Sequence, residues 1–312
     1  MKKSQVKQNI YAVIAALIWG NAFVAQSECA KYLGPFTVNA LRSVIAVIAL
    51  IPVALIFKKI RYGTKTEVKK ESRKKLIIGG ICCGAVLSAA TNLQQAGLSD
   101  TGAGKAAFIT AMYIVIVPVL GIFLKKKVTY NVWVAVAISV IGFYFLCLFG
   151  EGVHFAVSDL YILLCAVIFS THILLIDHFT EYTDGIELSC VQFIVMAAIS
   201  AVCMFIFETP TWNAIFKCIL PLLYIAIFSS GVAYTLQIFA QKDANPTIIT
   251  LILSLESIFA AFAERILPGG IKKPMFWWEY FGCALIFTAV VLAQIPLKRR
   301  NVKTVGTILT DK

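Results

Sequence analysis

The chain is short of charge. Only 14% of its 312 residues are Asp, Glu, Lys or Arg, while 60% are hydrophobic. A soluble domain carries about 25% charged residues, so a water-facing globular surface is excluded for most of the chain. Chemical signatures are missing too. No G-x-x-x-x-G-K-[ST] phosphate loop, no H-E-x-x-H and no G-x-S-x-G occurs. Nothing here hydrolyses ATP, no metal-ligand cluster is visible, and no cofactor is expected. The nine cysteines are odd in number, lie mostly inside apolar runs and have no metal-ligand spacing. They read as small buried apolar residues, not as a disulfide framework.

In place of charge stand ten long apolar stretches. Each is about long enough to cross a bilayer, which takes ~20 mostly apolar residues whose backbone groups bond within the helix. The predicted spans are Ile10–Gln26, Phe36–Phe57, Leu76–Leu98, Ala103–Leu124 and Val128–Phe149, then Asp159–Ile176, Ile186–Phe207, Ile215–Ala240, Ile248–Ile266 and Phe276–Ile295. The fold class is therefore all-α, a polytopic membrane protein, and the short loops leave no room for a soluble domain. The run after Lys2 and Lys3 is longer than the ~7–15 residues of a signal-peptide core, so it is kept as the first span.

The net charge of +12 is distributed as a topology signal. With the N-terminus in the cytoplasm, 21 of the 28 Lys and Arg fall on the cytoplasmic side, nine of them between Lys58 and Lys75. The positive-inside rule then places both termini in the cytoplasm of a multi-pass protein of the cell membrane. The Asp177–Glu187 loop lacks Lys and Arg, but acids weigh little in this rule. No nucleic-acid partner is needed to explain the basic charge.

The second five spans echo the first five. A shift of 150 places Ala16-Leu17-Ile18 over Ala166-Val167-Ile168, and a shift of 143 places Leu93-Gln94 over Leu236-Gln237 and Asp100 over Asp243. We read residues 1–150 and 151–312 as two five-helix repeats. Five is odd, so the second repeat enters the membrane from the opposite side. The repeats are inverted about an axis in the membrane plane, the arrangement that gives alternating access.

Polar residues inside the spans are the functional candidates. Arg42, about two turns into the second span, suits an anion ligand in a solute path, or a snorkelling anchor or structural ion pair. Glu256, near the middle of the ninth span, is beyond snorkelling reach. It is protonated, paired or facing water, and could load and release a proton. Thr250, Ser254, Ser257 and Ala261 share a small-residue face suited to close helix contact. His172 fits a structural hydrogen bond or a proton relay. Asn21, Gln26, Thr91, Asn92, Gln94 and Gln95 recur in the first half, and Gln192, Tyr234 and Gln237 in the second. Their clustering on the third and eighth spans favours a polar cavity between the repeats. Pro118 is expected to bend the fourth span, Gly80 and Gly84 have close-packing spacing, and Trp212, Trp277, Trp278 and Tyr280 fit an interfacial belt.

Several segments together resemble EamA-type members of the drug/metabolite transporter superfamily. They are Ile18-Trp19-Gly20-Asn21-Ala22-Phe23; Arg42; Gly104-Lys105-Ala106-Ala107-Phe108-Ile109-Thr110-Ala111-Met112-Tyr113 followed by Pro118; Pro246-Thr247-Ile248-Ile249; Leu253 to Ala261; and Glu279 to Ile286. Two departures stand out. Ser257 follows the ninth-span glutamate where many relatives have Pro, and Lys125-Lys126-Lys127 follows the fourth span where many have an acid. The resemblance implies ten helices in two repeats and export or exchange of a small metabolite, often amino-acid-like or drug-like, through a central cavity. The residues expected to bind solute are Trp19, Asn21, Arg42, Asn92, Gln95, Tyr113, Tyr234, Gln237 and Glu256, with Glu256 and His172 as proton-coupling groups. The expected partners are a small solute and the lipid bilayer, with a homodimer left open. A membrane-embedded transferase and a channel are the rival readings. The acids Asp177, Glu181, Asp184 and Glu187 form the one charged cluster an enzyme would need, and a solvated loop explains them. A channel would need symmetric subunits or a continuous polar face.

Overall fold

A computed structural model describes residues 3–63, 73–126, 128–149, 156–242, 244–267 and 274–295. Most of the basic loop, Asp243 and the basic C-terminal tail fall outside that set. The described residues are helical, with no strand among them. Among the described residues nine helices are long and apolar enough to cross a membrane, and a tenth, Trp277–Ala293, has 17 residues. The spans are Lys3–Ala30, Pro35–Gly63, Arg73–Gly97, Ala103–Phe123, Tyr130–Cys147, Val157–Phe179, Gly185–Phe207, Ile219–Gln241, Pro246–Ile266 and Trp277–Ala293.

Three spans are not continuous α-helix. The fourth divides into Ala103–Thr110 and Tyr113–Phe123, the ninth into Pro246–Leu253 and Glu256–Ile266. A shift of 143 residues carries one pair onto the other. At both breaks the backbone tightens to bonds three residues back, Met112 N to Ile109 O (3.2 Å) and Leu255 N to Ile252 O (3.1 Å). Tight turns keep the backbone satisfied where no water can reach it. Pro118, expected to bend the fourth span, lies inside Tyr113–Phe123, and the interruption comes before it. The eighth span passes through a π-helical segment, Ile225–Ala233.

Spans of one half pack on spans of the other. The second lies on the seventh, the third on the sixth and seventh, the first on the ninth and the fifth on the tenth. Glycines set the closest crossings. A Cβ on Gly84 would sit 2.5 Å from the Gln192 carbonyl oxygen, and one on Gly282 would sit 2.5 Å from that of Gly142. The seventh span also caps the second. The Glu208 carboxylate accepts from the amides of Phe36 (2.9 Å) and Thr37 (2.8 Å) and from the Thr37 hydroxyl (2.6 Å), satisfying amides that a helix N-terminus leaves open. The nine cysteines are free and buried or half-buried, and Trp212 and Trp277 are exposed at span ends.

Candidate solute-binding site

The two breaks face each other in the molecular interior. Tyr113 is the eleventh of the 21 residues of Ala103–Phe123, and Glu256 the eleventh of the 21 of Pro246–Ile266. The Tyr113 hydroxyl donates to Glu256 Oε1 at 2.9 Å. The two side chains border a small cavity between the halves.

The cavity straddles the repeat axis. The two sequence shifts pair Trp19 with Phe169, Phe23 with Ile173, Gln94 with Gln237, Thr110 with Leu253, and Tyr113 with Glu256. All ten residues line it. Where the pairing fails, the lining becomes chemically specific. Gln94 Nε2 donates to Thr110 Oγ1 at 3.1 Å, whereas Leu253, the counterpart of Thr110, offers no acceptor. Gln237 Oε1 is left buried without a partner among the described residues.

Charge is equally one-sided. Arg42 is 1% exposed and lines the cavity from the second span. Its Nε donates to Ser230 Oγ (2.8 Å), Nη1 to Gln26 Oε1 (3.0 Å) and Nη2 to Ser229 Oγ (3.4 Å). All three acceptors are neutral. A guanidinium has five donors in a planar fork, so these three bonds leave two. The serines belong to the π-helical turn, whose Ser229 carbonyl accepts from Trp19 Nε1 at 3.3 Å. The wide turn thus presents both hydroxyls to one cation. A shift of 150 maps Arg42 onto Gln192, which is neutral and lies outside the lining. Glu256, 3% exposed, has Tyr113 as its hydrogen-bond partner and no ion pair among the described residues. A buried cation and a buried carboxyl group therefore share one cavity without pairing to each other. Trp19, Phe23, Phe169, Ile173 and Leu253 supply apolar walls, with the Trp19 and Tyr234 rings edge-on at 4.8 Å.

Of the residues expected to bind solute, the structure brings together Trp19, Arg42, Tyr113, Tyr234, Gln237 and Glu256. It places the others elsewhere. Asn21 donates back to Leu17 O (2.8 Å), Asn92 to Ser88 O (2.8 Å) and Ser200 Oγ (3.1 Å), and Gln95 to Gln26 O (2.9 Å). His172 Nε2 meets Gln192 Oε1 at 3.1 Å, and its ring borders Phe169 and Tyr234 without entering the lining. Sequence reasoning overlooked Phe23, Thr110, Phe169, Ile173, Ser229 and Leu253. The repeat shifts, applied to Trp19 and Gln94, would have found Phe169 and drawn Gln94 into the lining beside Gln237.

A family model of the EamA-like transporters matches residues 6–148 and matches again over 156–294. The chain belongs to the EamA-like transporter family. An uncharacterized transporter of Archaeoglobus fulgidus is 28% identical over 283 residues, 90% of this chain and 84% of that protein. A solved crystal structure shares the fold at a TM-score of 0.73, with 17% identity over 92% of this chain and 96% of the other. This EamA-like transporter is a multi-pass membrane protein, and its family segments meet at the site. Gly20 lets the first span touch the ninth at Glu256, and Ser257 donates to Ala107 O of the fourth span at 3.1 Å. After the fourth span, Lys126 pairs with Asp177.

Proposed function

We propose that this EamA-like transporter is a secondary active carrier in the cell membrane, with both termini cytoplasmic. It exports or exchanges a small amino-acid-like solute by alternating access, coupled to protons at Glu256. The observation that carries the reading is the unpaired Arg42 and Glu256 on one buried cavity at the repeat axis. Unpaired buried charges are costly, and they persist where a guest or a proton completes them. The spare guanidinium donors suit a carboxylate, which a planar fork receives in two parallel hydrogen bonds. Glu256 and the free Gln237 oxygen suit an amino group, and the aromatic and aliphatic walls suit an apolar body. Inverted repeats supply two arrangements of similar energy, open to opposite sides. We assign the proton to Glu256 over His172 because Glu256 borders the guest.

The test is thermal stabilisation of the purified protein by apolar zwitterionic amino acids, by their amides, and by the corresponding amines. The reading expects stabilisation by the zwitterions and its loss when either charged group is removed. Equal stabilisation by an amine without a carboxylate would overturn the solute assignment. For the proton, Glu256→Gln is expected to abolish the pH dependence of counterflow in proteoliposomes. Unchanged dependence would remove Glu256 from coupling.

A further inference from the structure

The Tyr113–Glu256 hydrogen bond joins two equivalent positions, and that has a geometric consequence. In an inverted repeat, the second access state arises when the two halves exchange conformations. A contact between residue i and the counterpart of j becomes a contact between j and the counterpart of i. For most pairs these are different contacts, so they form in one state and break in the other. Positions 113 and 256 are each other's counterparts, so their contact maps onto itself. It lies on the axis and is compatible with both states.

The chemistry of the pair adds direction. A tyrosine hydroxyl donating to a carboxylate makes a charge-assisted bond, roughly twice as strong as one to a neutral acid. Each partner sits at the first turn after its own break. The strength of this one bond therefore depends on the charge of Glu256 and acts on both broken helices. We propose that Tyr113 is the positioning residue that holds the Glu256 carboxylate on the repeat axis and carries its protonation state into the break of the opposite repeat. The proposal rests on the reading of the cavity as the solute site, and it makes Tyr113 more than a wall of that cavity.

The ionisable groups around Glu256 are few. From the fourth span comes Tyr113. Tyr234 of the eighth span and Cys165 of the sixth lie within electrostatic reach, and Arg42 borders the same cavity from the second. The first span, packed closest, contributes Trp19 and Gly20, neither ionisable. Tyrosine, thiol and guanidinium groups ordinarily titrate above pH 8, so a step at lower pH that disappears with Glu256→Gln belongs to Glu256.

The experiment is hydrogen exchange of solute-free protein in lipid nanodiscs, corrected for intrinsic rates. It reads the amides around residues 111–114 and 254–257 as pH is lowered. Wild type is expected to lose protection at both breaks in one shared step, by about tenfold. Glu256→Gln should remove the step from both. Tyr113→Phe should keep the step at 254–257 and abolish it at 111–114, and the double variant should match Glu256→Gln. A step that still reaches 111–114 in Tyr113→Phe, or wild-type breaks that respond separately, would overturn the proposal. No solute is used, so failure here leaves the solute assignment standing, and failure of the stabilisation screen leaves this step intact.

Discussion

Replacing Gly20 by Ala perturbs the crossing on which the site depends. A methyl at that position would lie 2.4 Å from Phe259 Cβ, 2.7 Å from the Glu256 carbonyl oxygen and 2.8 Å from Ala260 N. Two of these neighbours are backbone atoms, so no side-chain rotation relieves them. Carbon–carbon contacts prefer about 3.5–4.0 Å, which requires the first and ninth spans to part by about 1 Å. Overpacking of this kind costs about 1–3 kcal/mol, or a fall in melting temperature of roughly 2–10 °C. One of the displaced atoms is the Glu256 carbonyl oxygen, so parting the spans by that distance is expected to stretch the 2.9 Å bond from Tyr113 past the ~3.5 Å limit of a hydrogen bond. Counterflow should drop by roughly tenfold or more, as a misplacement near 1 Å does in enzymes. Thermal unfolding and counterflow in proteoliposomes read the two effects. Asn21→Ala is the control, because Asn21 bonds its own helix at Leu17 O and should change stability by less than about 0.5 kcal/mol. A Gly20→Ala protein that melts and transports like wild type would refute the crossing and its link to the site.

Arg42→Ala should weaken solute-dependent stabilisation by about 10–100-fold, the worth of charge-assisted bonds to a carboxylate. Normal affinity would confine Arg42 to a structural role. Glu208→Ala should cost about 1–2 kcal/mol in unfolding experiments, because it opens the first-turn amides of the second span. Gly34→Ala should do similar damage by placing a methyl 2.3 Å from Glu208 Cδ, and a neutral result for both would remove the cap from the account. Asp159 accepts from Lys105 (2.7 Å) and Thr101 (3.0 Å), tying the start of the fourth span to the start of the sixth. Its counterpart Asn9 and that of Lys105, Ile248, instead border a cleft of about 540 Å³. Asp159→Asn should raise hydrogen exchange around 98–106 and leave the Asn9 end unchanged, whereas equal protection would show that the tie does not latch that end.

The spans were legible because lipid demands long apolar runs with internally bonded backbones. The repeat was legible because equivalent spans keep equivalent spacing. The breaks at Ala111–Met112 and Ser254–Leu255 were not. Neither carries Pro or Gly, and each comes from packing around a shared cavity, not from local propensity. The π-helical turn at Ile225–Ala233 was not legible either, since its single Gly231 is no signature of a wide turn. Polar residues revealed that a cavity exists without revealing which of them face it. Gln94 and Gln95 are adjacent in sequence, yet a helix turns about 100° per residue. One therefore meets the cavity while the other reaches the Gln26 carbonyl. Glu256 stood out in sequence because a carboxyl group at mid-span has no route to water.

One cavity on the repeat axis is expected to serve both sides of the membrane in turn. Counterflow in proteoliposomes tests it most directly, using the zwitterion that best stabilises the purified protein. Flux should saturate and should accelerate with unlabelled solute on the opposite side. Flux that rises linearly with concentration and ignores the opposite compartment would contradict it.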